Sequence, residues 1–229
     1  MRRTLFIMAT VIAFGIQPDQ VEAGMGGTIL KLTESVYQVT IVDLTNGEVT
    51  KANHSEHRKK EAIKASRILG IDERITLDYL YSELENSREI REEISEICQN
   101  TSADIIFLPY PVDTQPESLI ATEICNTSLT HLYHRNYSSS KTKIFYYFAA
   151  PFYYYEKPSL IADISKEIEM KVEALKCYES RFGKNIQNSQ LFENTLNLNR
   201  YYGMMIGKKF GESFVCKEPI AINNFEFLW

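Results

Sequence analysis

The chain has 229 residues, 44% of them apolar and 24% charged, with a net charge of −5. That length and composition suit one soluble globular domain with a sizeable core, and residues 1–229 are read as a single domain. The acidic balance argues against a nucleic-acid surface, which needs clustered Lys and Arg, and the four widely spaced cysteines contain no CxxC pair, so they read as free thiols in a reducing compartment.

The N-terminal MRRTLFIMATVIAFGI has two arginines followed by an apolar run. This is the pattern of a signal peptide, and also of a buried parallel strand. The strand is preferred because a loop and a helix follow directly, which places the protein in the cytoplasm. The run is short for a membrane span. Residues 20–33 can form a helix, 36–44 a second strand and 54–70 an amphipathic helix. The apolar face of that helix is Ala62, Ile63, Ala65, Ile68 and Leu69, and Gly70 stops it. ERITLDYL is a third strand. A helix over 87–101 presents Ile90, Ile94 and Ile97. ADIIFLPY is a fourth strand, a helix spans about 116–133, and KIFYYFA is a fifth strand. Residues 165–182 read as one strong helix, about 190–210 as the last helix, and FEFLW as an apolar end.

Strand–helix alternation predicts an α/β fold, Rossmann-like, with a mainly parallel sheet between helical layers. Ligands in such folds sit beyond the carboxyl ends of the strands. The two polar loops there are IQPDQVE after the first strand and YPVDTQPES after the fourth. Asp19, Glu22, Asp113 and Glu117 could gather there to hold Mg or Ca, or could be solvated or capping carboxylates. With no basic partner in view, the cluster argues against an anionic ligand. The pairs His54/His57 and His131/His134 read as surface residues rather than a relocated zinc site. Gly24, Gly26 and Gly27 do not fit a dinucleotide or P-loop fingerprint and read as close packing of the first helix on the sheet. The aromatic run 146–155 fits a buried strand and loop, or equally a ligand or protein surface.

Several blocks together carry a family resemblance: IQPDQVEAGMGGT, then DLTNGE at 43–48, ASRILG at 65–70, QPES at 115–118 and RYYGMMIGKKFGESF at 200–214. The chain resembles the LmbE/PIG-L zinc-dependent N-acetylglucosaminyl deacetylases, most of all the bacillithiol-pathway branch. That family has AHPDDxExGxGGT after the first strand and HPDH after the fourth. The resemblance implies that Gln17, Gln20 and Ser118 occupy the zinc-ligand positions, normally His, Asp and His. Asp19 is implied as the general base, Gln115 stands at an assisting His, and Glu117 at an Asp. Thr114 and Ala52 stand at two arginines, and Tyr201 or Tyr202 at a carbonyl-polarising Tyr. Glu22, Asp113, Thr114, Gln115 and Glu117 would line the pocket.

Amide and hydroxyl oxygens are poor zinc ligands beside imidazole and carboxylate. The expectation is therefore that the zinc, and with it the reaction, is lost. The chain would be a non-catalytic relative binding a sugar-like ligand or a protein, as a homo-oligomer or with an active paralogue. The alternative is an active N-acetylglucosaminyl deacetylase, of the GlcNAc-malate type, with a non-standard or absent metal.

Overall fold

The computed structural model describes residues 9–35, 37–47, 55–111, 116–134, 142–148 and 157–219. In chain order the strands and helices are β1 (Ala9–Gly15), α1 (Gln20–Thr33), β2 (Tyr37–Thr45), α2 (Ser55–Leu69), β3 (Glu73–Tyr79), α3 (Arg88–Thr101), β4 (Ile105–Pro109), α4 (Pro116–His134), β5 (Lys143–Tyr147), β6 (Leu160–Asp163), α5 (Ile168–Lys176), α6 (Glu179–Phe182), α7 (Gln190–Met205) and β7 (Gly211–Val215).

They build an α/β fold around one seven-stranded sheet of order β3-β2-β1-β4-β5-β7-β6. Strands β1 to β5 pair in parallel, and β7 runs antiparallel to both β5 and β6. The apolar run read as a strand is the central one: β1 is paired on both sides, and Val11 to Phe14 are fully buried. Alternate residues of the central strands feed two apolar layers. One holds Ile12, Phe14, Ile106 and Leu108 with Ile90, Ile94 and Ile124. The other holds Val11, Ala13, Ile41 and Phe107 with Ile29, Leu69, Tyr178 and Phe182. Among the described residues no helix is long and apolar enough to cross a membrane.

The helix expected over 165–182 is two. α5 ends at Lys176, and Tyr178 leaves helical geometry (φ −93°, ψ 61°) before α6. The cause is tertiary: the Tyr178 ring is buried and its hydroxyl donates to Glu22 Oε1 at 2.6 Å. The last helix stops at Met205 rather than 210, and the strands β6 and β7 were not foreseen. FEFLW and residues 149–155 of the aromatic run lie outside the described residues.

Helix α1 is broken at Met25 (φ −147°, ψ 23°). The break frees the N–H groups of Gly27 and Thr28, which donate to Glu212 of β7 at 2.9 and 2.7 Å. The Ala23 carbonyl is taken instead by Lys171 Nζ at 2.8 Å. A Cβ on Gly27 would lie 2.7 Å from Ile164 Cβ, and one on Gly26 would press on the Lys171 stem. The glycines thus admit α5 and the corner before it, where the sequence suggested packing onto the sheet.

Candidate active site

Strand order reverses between β1 and β4, so a crevice opens beyond their carboxyl ends, where this class of sheet binds ligands. Asp19 sits there, between Gly15 at the end of β1 and the start of α1. Its backbone is left-handed (φ 98°). A non-glycine residue at positive φ is uncommon and strained, and such residues cluster at functional sites.

Asp19 is 4% exposed, and its Oδ1 is buried without a hydrogen-bond partner. Arg181 of α6 brings Nε to 3.5 Å from Oδ2. Burial pushes the Asp19 carboxyl up to about 7, with Arg181 and Arg58 opposing the rise and Glu22 and Asp43 adding to it. The result is a carboxyl group half ionised near neutral pH, beside two cations.

Behind Asp19 lies a buried network. Arg74 grips Asp43 through Nε and Nη2 at 2.7 and 2.9 Å, and its Nη1 reaches Glu22 Oε1 at 2.5 Å. Thr76 adds a hydroxyl donor to Asp43. Burial raises the Asp43 carboxyl, with Arg74 opposing. Glu22 Oε1 is held by Arg74 and Tyr178, while its Oε2 is buried with no hydrogen-bond partner. One expectation is corrected here: the acidic cluster is not without basic partners, since Arg58, Arg74 and Arg181 lie beside Asp19, Glu22 and Asp43. Sequence reasoning missed these arginines because they come from α2, β3 and α6, far away in the chain.

The donors at the implied metal positions do not suit zinc. Gln20 Oε1 accepts from the Ile16 N–H at 2.6 Å, which ties the loop to the strand end. Gln17 Oε1 accepts from Arg58 Nη1 at 3.3 Å, and the same nitrogen donates to the Gly47 carbonyl at 2.9 Å. Ser118, at the start of α4, offers a buried neutral hydroxyl with no partner. Two amides, a hydroxyl and a guanidinium alongside make a weak and electrostatically hostile seat for a dication. Among the described residues no group of three or more His, Cys, Asp or Glu could hold a metal.

Tyr202 is buried against Phe148, which stacks on Tyr110 just beyond β4, whereas Tyr201 is 45% exposed. Of the two, Tyr202 therefore lies with the aromatics at the carboxyl ends of β4 and β5. His57 is exposed and pairs with Glu61. Asp113, Thr114, Gln115, Ala52 and His54 lie outside the described residues, and of Glu117 only the place in α4 is described, as for His131 and His134.

An α/β sheet of this order with a polar β1–α1 loop at its switch point matches the architecture of LmbE/PIG-L-type deacetylases of known structure. The GlcNAc-PI de-N-acetylase (PIG-L) family matches residues 16–124. The diacetylchitobiose deacetylase of Thermococcus kodakarensis is 29% identical, over 88% of this chain and 80% of its own. The solved N,N'-diacetylchitobiose deacetylase of Pyrococcus horikoshii, complexed with an inhibitor, superposes with a TM-score of 0.80 at 26% identity, covering 96% of this chain and 88% of that one. A conserved protein of Thermus thermophilus reaches 0.81 at 25% identity, covering 96% and 99%.

These relatives overturn the expectation of a non-catalytic protein. Deacetylases match the chain across most of its length, and the alternative, an active deacetylase, fits them better. The expectation equated the altered donors at three positions with loss of the reaction. It gave no weight to the surroundings of the retained Asp19, which arise from residues distant in sequence.

Proposed function

We propose that the chain hydrolyses the N-acetyl amide of an amino sugar, with Asp19 as general base. The observation that carries this reading is the buried Asp19 carboxyl, raised to about 7 and paired with Arg181 at the switch point of the sheet. A base works best when its pKa lies near the operating pH. The deacetylase relatives supply the substrate class.

In this mechanism Asp19 Oδ1 takes a proton from water, and the hydroxide oxygen adds to the amide carbonyl carbon. Negative charge gathers on the former carbonyl oxygen, where the Arg58 and Arg181 guanidiniums stabilise it. The C–N bond then breaks. The proton held by Asp19 passes to the nitrogen, and acetic acid and the free amine leave, the acid then giving its proton to the amine or to water to become acetate. No step runs through a metal, because the donors present do not suit one. Burial of the thiols of Cys98 and Cys125, and the free state of all four cysteines, support a reducing, cytoplasmic setting.

The test is release of acetate and free amine from N-acetylglucosamine and N,N'-diacetylchitobiose. The wild type should turn over at least one of them, and Asp19→Asn should be slower by about a hundredfold or more. Asn tolerates the left-handed backbone as Asp does, so the variant tests the carboxylate alone. Absence of acetate from the wild type, or an undiminished rate in Asp19→Asn, would refute the reading.

A further inference from the structure

We propose that Glu61 is a positioning residue: through Ser180 it fixes the 178–183 segment and holds the Arg181 guanidinium against the buried Asp19 carboxyl. The proposal rests on the hydrolase reading only for its catalytic meaning, since the geometry stands by itself.

Glu61 lies on α2 yet is 3% exposed. Its Oε1 accepts the Ser180 N–H at 2.9 Å, and its Oε2 accepts the Ser180 hydroxyl. Both oxygens of a buried carboxylate are thus spent on the residue just before Arg181. Tyr178 and Phe182 are buried in the core on either side, so Ser180 and Arg181 bridge two anchors. Gly183, at φ 79°, turns the chain away immediately afterwards. Arg58 stands three residues before Glu61 on the same helix and reaches Gln17. One helix therefore supplies one cation to the site directly and locates the other through Ser180.

Charge alone does not account for the arrangement. A carboxylate close to Arg181 competes with Asp19 for it, yet both Glu61 oxygens are engaged by Ser180. The other ionisable group facing Glu61 from its own helix is His57, with Nδ1 at 3.3 Å from Oε1. Across the packing, the Cys177 thiol also feels Glu61. Asp19 is faced by Arg181, Arg58, Glu22 and Asp43.

The experiment follows guanidinium Nε–H resonances in ¹⁵N-labelled full-length protein, with Arg181 assigned by its loss in Arg181→Ala. Glu61→Ala should move the Arg181 resonance toward its position in Asp19→Asn. It should leave that of Arg74, whose Nε is 2.7 Å from Asp43 Oδ2, in place. Glu61→Gln keeps an oxygen for the Ser180 N–H and should restore most of the wild-type spectrum. An unmoved Arg181 resonance in Glu61→Ala would overturn the proposal. So would movement of both resonances, which would mean that Glu61 holds the fold as a whole. If Glu61→Ala does not fold, Ser180→Ala decides: its Arg181 resonance should shift in the same direction, and no shift counts against the proposal. Where acetate release is measured, Glu61→Ala should lower kcat by about tenfold with little change in KM. Failure of the wild type to release acetate would refute the hydrolase reading and leave the spectra to judge Glu61.

Discussion

Lys171 Nζ lies 2.6 Å from Glu212 Oε1, and neither side chain is exposed to solvent. The pair joins α5 to β7, and through it both elements meet the break in α1. Glu212 also accepts the Thr28 hydroxyl at 2.6 Å, so its two oxygens cap the buried N-terminal end of the second half of α1. This explains a glycine-rich stretch, GMGGT, without any bound phosphate: the glycines let a carboxylate and an ammonium approach the helix backbone.

Removing one partner of a buried ion pair leaves an uncompensated charge, which costs about 3–5 kcal/mol. Glu212→Ala should therefore lower unfolding stability by about that amount, because it strands Lys171 and two backbone N–H groups. Burial already holds the Lys171 ammonium below its ordinary pKa, with Glu212 opposing. Urea denaturation of Glu212→Ala, Lys171→Met and the double variant measures the coupling. The double variant should lose clearly less than the sum of the singles, and strict additivity would contradict the pairing.

The stability of the chain should carry the imprint of Asp19. Its carboxyl titrates at about 7 when folded, against an ordinary value of 3.8. Between those values the folded state binds the proton and the unfolded state does not, so stability falls as pH rises. The contribution is fully present below the lower value and is lost as pH passes through the upper one. Asp19→Asn removes this dependence. Its stability relative to the wild type should improve by about 3 kcal/mol between pH 5 and pH 8. Parallel pH profiles for the two proteins would show that Asp19 is not held in this environment.

Much of this fold was legible because local patterns and tertiary roles agree. α3 is an example: Ile90 and Ile94 are buried as its periodicity requires, although Cys98 completes the face and Ile97 is only half-buried. The pattern failed where a polar residue faces inward to meet a distant partner. On α2 the predicted Ala62, Ala65 and Leu69 are buried, but Ile63 is 49% exposed and Glu61 is buried instead, where it meets Ser180, 119 residues away. β7 escaped notice for the same reason, since the Gly, Glu and Ser of GESFV are all buried. In the site, the Asp19 loop could be read directly. The arginines around it could not, because nothing local marks Arg58, Arg74 or Arg181 as converging.

The metal question can be put to the chain itself. Gln17→His, Gln20→Asp and Ser118→His together place an imidazole, a carboxylate and a second imidazole at the positions where the family resemblance implies ligands, a donor set that suits zinc. Two local facts oppose the gain. The Gln20 side chain now fastens Ile16, and Arg58 Nη1 stands 3.3 Å from the Gln17 oxygen, so a dication would meet a guanidinium. The triple variant should therefore bind zinc only weakly, and adding Arg58→Met should tighten binding by about tenfold, a coupling of about 1.4 kcal/mol. Zinc content after gel filtration, with calorimetry for affinity, measures both. The wild type should retain well under one equivalent. If the fourth substitution leaves the affinity unchanged, Arg58 does not guard the position, and its part in stabilising the reaction's negative charge would lose its electrostatic basis.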